Sequence, residues 1–328
     1  MSKKNLKIGS RGSQLALWQA HWVKARLEEK GLQADIVKIK TTGDKILDVP
    51  LAKIGGKGLF VKEIEEALIR EEIDLAVHSM KDVPSHLPEP LHLAAIPRRE
   101  DPRDAVISRQ GVRLADLPSG AKIGTSSLRR QAQLWALRPD LQIIPLRGNL
   151  DSRLRKLNEG AFKVGSEAKD YGVPLDAILL AAAGLHRLGW GEQITEYLPV
   201  EISLPAIGQG ALAIECRRDD SRVNDAISFL NDPETACTVS AERAMLIRLE
   251  GGCQVPIAGH ATKSSDQVTL DGLVASLDGK TILRERRTAK RSEAAALGIE
   301  VAEALLAKGA DQILKALYEG TPPASGIS

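Results

Sequence analysis

The sequence predicts an α/β protein made of two layered units in tandem, followed by a smaller α+β unit. Three observations carry this reading. Short apolar runs alternate with helical patterns through the first half, as expected of strands joined by crossover helices. The alternation starts again beyond Arg98–Arg103, a charged stretch containing Pro102. Toward the C-terminus the pattern changes to consecutive strand-like runs, with Asp278-Gly279 as a hairpin turn between two of them.

In the first unit, Leu6–Gly9 reads as a buried strand. Ser13 stands at an N-cap position, and Ala16, Ala20, Val23 and Leu27 fall on one helical face. Ala34–Lys40 is a strand, Leu59–Arg70 a helix and Asp74–His78 a strand. The second unit offers strands at Ala105–Ser108, Leu141–Leu146 and Ala177–Ala182, and helices at Ser127–Leu137 and Leu150–Asn158. Largely parallel pairing is expected in both units. The long polar connection Ala161–Leu175 reads as a surface loop. Ile202–Gly210 is punctuated by Pro and Gly and leads into the apolar run Ala211–Cys216. The pattern alone leaves open whether that run returns to the first unit, which would make the first unit discontinuous.

The last unit has a helix at Glu234–Leu249 and strands at Pro256–Ala261, Gln267–Leu277 and Thr281–Thr288. A closing helix carries Leu297, Val301, Ala304 and Leu305 on one face. The Pro/Gly/Ser-rich tail Gly320–Ser328 reads as a mobile end.

Composition narrows the function. The 328 residues carry 45 Lys+Arg against 43 Asp+Glu, a net charge of +2, and 3% aromatics. That argues against a general nucleic-acid coat and against a base-stacking platform. The three cysteines, Cys216, Cys237 and Cys253, are odd in number and lack metal-ligand spacing, which suits a reducing compartment. No apolar segment follows the basic N-terminus as a secretory signal requires, and the apolar stretch Ala177–Leu185 is too short to span a bilayer. A soluble intracellular protein is expected.

The basic residues gather at turns. Arg11 follows the first strand and Lys81 the strand Asp74–His78. Arg129 and Arg130 lie in the first turns of a helix opened by Gly124-Thr125-Ser126-Ser127. Arg147 precedes Gly148-Asn149, and Arg153 lies on the helix after it. Open α/β sheets bind ligands outside the carboxyl ends of their strands, and helix N-termini favour anions. Two such units facing each other would make a polyanion-binding cleft. Any single arginine is as readily a solvated surface group; the repeated placement is the signal. Lys53 and Lys57 flank Gly55-Gly56, but the phosphate-binding P-loop pattern is incomplete, so a lysine-bearing flexible loop is expected.

Two constellations carry chemistry. In His78-Ser79-Met80-Lys81-Asp82, the Asp82 carboxylate stands at a cleft mouth, where it suits a developing cation or proton transfer; a loop ion pair or a helix cap is the plainer alternative. In Glu250-Gly251-Gly252-Cys253-Gln254, a tight loop presents Cys253 as a nucleophile or attachment point; a buried structural thiol is the alternative. Cys216 and Cys237 read as structural.

His78-Ser79-Met80-Lys81-Asp82-Val83-Pro84, Gly124-Thr125-Ser126-Ser127-Leu128-Arg129-Arg130, Leu146-Arg147-Gly148-Asn149, Leu204-Pro205-Ala206-Ile207-Gly208-Gln209-Gly210 and Glu250–Pro256 occur in this order. With Arg11-x-Ser13 and Gly55–Phe60, they closely resemble the porphobilinogen deaminase family over nearly the whole chain. The resemblance implies two lobes shaped like a periplasmic binding protein and a third α+β domain. The implied boundaries are 1–99 with 205–228, 100–204, and 229–328. It implies a transferase of the tetrapyrrole pathway that joins four porphobilinogens head to tail, releasing ammonia each time. A dipyrromethane cofactor would be held by a thioether to Cys253, and Asp82 would be the principal catalytic residue. Lys81, Thr125, Ser126, Ser127, Arg129, Arg130 and Gly148 would bind the cofactor. Arg11, Ser13, Gln19, Arg147, Arg153 and Arg187 would bind substrate carboxylates or line the cleft. Lys53, Lys57 and Phe60 would belong to a mobile active-site loop. No metal, nucleic-acid or membrane partner is implied, and the protein would be a cytoplasmic monomer. A non-enzymatic solute receptor would share the two lobes but not the Cys253 loop or the third domain.

Overall fold

A computed structural model describes residues 5–42, 61–159, 162–164, 169–171, 174–250 and 255–318. Along the chain run β1 (Leu6–Ser10), α1 (Gln14–Glu29), β2 (Ala34–Lys38), α2 (Lys62–Ile69), β3 (Leu75–Ser79) and β4 (Leu91–Ala95). Next come β5 (Asp104–Ser108), β6 (Lys122–Gly124), α3 (Leu128–Leu137), β7 (Gln142–Ile144), α4 (Leu150–Glu159), β8 (Phe162–Val164), β9 (Lys169–Tyr171), β10 (Ala177–Ala181), α5 (Ala182–Arg187) and β11 (Glu196–Leu198). The chain continues through β12 (Leu212–Arg217), α6 (Ser221–Ile227), α7 (Pro233–Arg248), β13 (Ile257–Ser264), β14 (Gln267–Ala275), β15 (Ile282–Lys290), α8 (Ala294–Ala307) and α9 (Ala310–Tyr318).

The first sheet has the order β2-β1-β3-β12-β4, and the second β11-β5-β10-β6-β7. Placing β12 between β3 and β4 answers the question left open by the sequence: the run after Gly210 returns to the first sheet. Each sheet is mixed. In the first, β1 pairs in parallel with β2 and β3, while β12 runs antiparallel to β3 and β4. In the second, β6 pairs in parallel with β7 and β10, while β5 runs antiparallel to β10 and β11. Largely parallel pairing therefore holds for half of each sheet. The antiparallel half comes from the chain crossing between units and returning, which inserts strands in the opposite sense.

The N-cap read at Ser13 forms, and Ser127 and Asp232 supply two more. Ser13 caps α1 by accepting from the Ala16 amide, and Ser127 caps α3 by accepting from the Arg130 amide. Asp232 caps α7, with Pro233 in its first turn. Central strand β3 is apolar through Leu75, Ala76 and Val77 because both its faces are covered: Leu75 and Val77 pack with Val23 and Leu27 of α1, and Ala76 with Ile64 and Leu68 of α2. The connection expected to be a surface loop carries a two-stranded antiparallel hairpin, β8 with β9. The third unit is the antiparallel sheet β13-β14-β15, with α7 and α8 packed on it around Met245, Leu270, Val301 and Leu305. The tail Gly320–Ser328 lies outside the described residues.

Candidate active site between the lobes

The first lobe delivers its residues from two neighbouring strand ends. Beyond β1 come Arg11 and the cap residue Ser13. Gln19, on the first turns of α1, is buried and donates from Nε2 to Ser79 Oγ at 2.9 Å. Beyond β3 the chain makes a single 3-10 turn, Met80–Asp82, pinned by the Met80 amide on the Ala211 carbonyl at 3.0 Å. Arg11, Ser13, Gln19, His78 and Asp82 line one pocket. The return segment presses on this turn. Gly208 has φ 69°, and a Cβ there would lie 2.3 Å from Met80 Cγ, so neither the backbone angle nor the space admits a side chain. Asp82 is thus aimed by packing on both sides of its turn.

The second lobe supplies the cations. After β6, Thr125 is buried, Ser126 is exposed with Oγ donating to the Leu146 carbonyl, and Ser127 caps α3. Arg147 and Gly148 lie between β7 and α4, and Arg153 on α4 donates from Nε to the Gly148 carbonyl at 2.9 Å. Gly148 has φ 110°, a left-handed backbone that glycine tolerates.

Electrostatics show that the lobes meet here. Burial lowers Lys81 to about 8; Asp82 opposes the fall and Arg130 adds to it. Burial also lowers Arg153 to about 10, with Arg130 and Arg147 adding and Asp82 opposing. Arg147 is lowered by burial alone. Lys81 and Asp82 of the first lobe thus lie within electrostatic reach of Arg130 and Arg153 of the second. Arg187 is lowered to about 10 by burial, against Glu100. It sits at the crossover, donating to the Gly210 carbonyl at 2.7 Å, with its guanidinium 5.9 Å from the Trp18 ring centre.

Arg129 and Arg130 stand apart from the other cations because their main partner is a carboxylate that sequence reasoning missed. Asp104, at the start of β5, is 0% exposed. It accepts from Arg129 Nη1 at 2.8 Å, Arg130 Nη2 at 2.7 Å, Ser203 Oγ at 2.8 Å and Gln209 Nε2 at 2.9 Å. Burial alone would raise this carboxyl, but Arg129 and Arg130 outweigh it and hold Asp104 far below the ordinary carboxylate range. The available signal was a charged residue opening a wholly apolar strand, Asp104-Ala105-Val106-Ile107.

A second hub ties in the third unit. Glu242 on α7 accepts from Arg99 Nη1 at 2.5 Å, the Gly208 amide at 2.7 Å and the Ala261 amide at 2.8 Å. The two hubs grip residues 203–210 from opposite sides, fixing how the lobes and the third unit meet.

Cys253, Lys53, Lys57 and Phe60 lie outside the described residues. Cys216 is buried, its thiol raised to about 11 by burial, and Cys237 is half-buried; neither lines the cleft pocket. Among the described residues no His/Cys/Asp/Glu group fit to hold a metal ion occurs, and no helix is long and apolar enough to cross a membrane.

A pocket-lining carboxylate among partly desolvated cations, at a cleft between two α/β lobes, defines a protein built to handle a polycarboxylate ligand. The chain belongs to the porphobilinogen deaminase family: the family model for its dipyromethane cofactor binding domain matches residues 6–225, and that for its C-terminal domain matches residues 236–307. A porphobilinogen deaminase of Geobacter metallireducens is 59% identical over 97% of this chain and 96% of its own length. One from Geobacter sulfurreducens is 57% identical over the same shares. Among solved structures, a nutrient binding protein from Burkholderia cenocepacia bound to methionine aligns with 74% of this chain and 95% of its own, at 16% identity and a TM-score of 0.40.

Proposed function

We propose that this chain joins four porphobilinogen molecules head to tail into hydroxymethylbilane, one ammonia leaving at each junction, and that it does so as a cytoplasmic monomer with no nucleic-acid or membrane partner. The observation that carries the reading is the placement of Asp82, within electrostatic reach of Lys81 and Arg153 and in one pocket with Arg11, Ser13 and Gln19. The three units are taken as residues 1–99 with 205–228, 100–204, and 229–328, supported by the return of β12 to the first sheet.

The residues present fit the family's cofactor. Each pyrrole carries two carboxylates, and Lys81, Arg147 and Arg153 are cations depressed by burial, which a polycarboxylate would relieve. Cys253 would hold the dipyrromethane by a thioether, with Lys81, Thr125, Ser126, Ser127, Arg129, Arg130 and Gly148 around it. When bound, the cofactor supplies the anchored pyrrole on which the chain grows.

Arg130 spends Nε and one N–H of Nη2 on Asp104, and one N–H of Nη1 on the Leu179 carbonyl. One N–H on each terminal nitrogen remains for a ligand carboxylate. Arg11, Ser13, Gln19, Arg147, Arg153 and Arg187 would hold substrate acetate and propionate groups.

The protonated amino group of the substrate's aminomethyl arm leaves as ammonia, and its methylene is left as a cationic carbon. A pyrrole α-carbon attacks that carbon and then loses its proton, which the ammonia takes up as ammonium. The Asp82 Oδ atoms would accept from pyrrole N–H groups and offset the positive charge as it forms. The surrounding cations meanwhile hold the carboxylates away from it.

The test is ammonia release from porphobilinogen by wild type and Asp82→Asn. The variant should melt at the wild-type temperature and lose about 100-fold or more of turnover. Near-wild-type turnover would overturn the assignment.

A further inference from the structure

A buried titratable cluster lies beneath the same pocket, and the carboxylate-binding arrangement does not use it. His78 sits on central strand β3 and lines the pocket that contains Asp82. Its Nε2 is 2.9 Å from Glu215 Oε2 on β12, with the two side chains 4% and 1% exposed. With Glu215 ionised, Nε2–H is the donor. The third member is Glu65 on α2, a buried residue whose helix packs through Ile64 and Leu68 against Ala76, the residue of β3 paired with Glu215. Glu65 Oε1 and Glu215 Oε1 are both buried without a hydrogen-bond partner. Buried acceptors are rarely left without a donor, and two carboxylates sharing a dry site do not both ionise readily. A proton on Glu65 removes one of the two like charges and makes its carboxyl a donor.

We propose that Glu65, Glu215 and His78 form a titrating cluster that sets the charge beneath the Asp82 pocket and thereby acts as a positioning unit for the reaction. The role rests on the reaction proposed above and extends it. Burial raises Glu65 to about 7, Glu215 adding to the rise and His78 opposing it. Among the described residues these are the charged groups acting on it, from β12 and β3; Lys7 on β1 and His92 on β4, the titratable groups of the other two strands packed on α2, do not act on it. Near neutral pH the cluster therefore gains a negative charge as pH rises. That charge lies under the pocket where the substrate's cationic carbon forms, so it favours ammonia loss. Lys81 titrates nearby, but its charge acts on carboxylate binding and is read in KM rather than in turnover at saturation.

The experiment measures kcat at saturating porphobilinogen from pH 5.5 to 9, and melting temperature at pH 5 and pH 8, for wild type, Glu65→Gln and Glu215→Gln. Wild-type kcat should rise several-fold through an inflection near pH 7. Glu65→Gln mimics the protonated acid and should stay flat at the low-pH level. Glu215→Gln removes a repulsion and should move the inflection to lower pH. A carboxyl whose basicity folding raises stabilises at low pH and loses that contribution as pH rises through its folded value. The melting temperature of Glu65→Gln should therefore gain on wild type between pH 5 and pH 8. An inflection retained in Glu65→Gln, or a melting difference independent of pH, overturns the cluster. Absence of turnover by wild type refutes the proposed reaction instead, and the melting comparison still decides the cluster.

Discussion

Replacing Asp104 by Asn tests the claim that one buried carboxylate aims the cationic wall of the cleft. The wild-type carboxylate receives both oxygens' worth of donors: Arg129 Nη1 and Ser203 Oγ on Oδ2, and Arg129 Nη2, Arg130 Nε, Arg130 Nη2 and Gln209 Nε2 on Oδ1. The asparagine amide keeps one acceptor and turns an NH2 toward groups that are themselves donors. Two buried guanidinium groups lose their counter-charge. Removing one partner of a buried ion pair costs about 3–5 kcal/mol, a large part of a typical stability of about 5–15 kcal/mol. At about 2–4 °C per kcal/mol for a chain section of this size, the melting temperature should fall by about 6–20 °C. The assay is thermal unfolding followed by circular dichroism, with Arg113→Ala as the control. Arg113 pairs with Glu196 at 2.9 Å but is 70% exposed, and its loss should cost under about 1 kcal/mol. The pH dependence adds a sign. Asp104 is depressed on folding, so its contribution is present above the unfolded carboxylate value and is lost as pH falls below it; Asp104→Asn should lack that acid-side decline. A fall of less than about 1 kcal/mol, or one no larger than for Arg113→Ala, refutes the reasoning.

Lys81 is lowered to about 8 by burial, so it loses its charge as pH rises through 8. KM for porphobilinogen should climb there, and a Lys81→Gln variant, with KM already raised at pH 7, should show no such climb. Glu242→Gln removes the charge and one of the two acceptors that Arg99 pairs with, weakening the link between the third unit and the crossover. Limited proteolysis should then cut faster around residues 203–210, while Arg113→Ala is cut at the wild-type rate.

Much of this architecture was legible in the sequence because it rests on local chemistry. Ser13 and Ser127 announce their helices through the hydrogen bonds they make, and Asp278-Gly279 announces the hairpin between β14 and β15. Lys81 and Arg147 were legible as cations at turns because each follows a strand, β3 and β7. What the sequence hid was long-range pairing. Asp104 meets Arg129 and Arg130 across 25 and 26 residues, and His78 meets Glu215 across 137. No periodicity encodes such partners. Lobe order was hidden for the same reason: β12 slots between β3 and β4 only after the chain has built a whole second sheet. The short strands β6 and β11 have three residues each, too few for a recognisable pattern.

The central claim is that this chain grows a polypyrrole on a cofactor held through Cys253. Intact mass of the purified protein tests it most directly. The account predicts that wild type is heavier than its sequence by a two-pyrrole adduct, that brief incubation with porphobilinogen adds further pyrrole increments, and that Cys253→Ala carries neither. An active wild-type protein at its unmodified mass would contradict it.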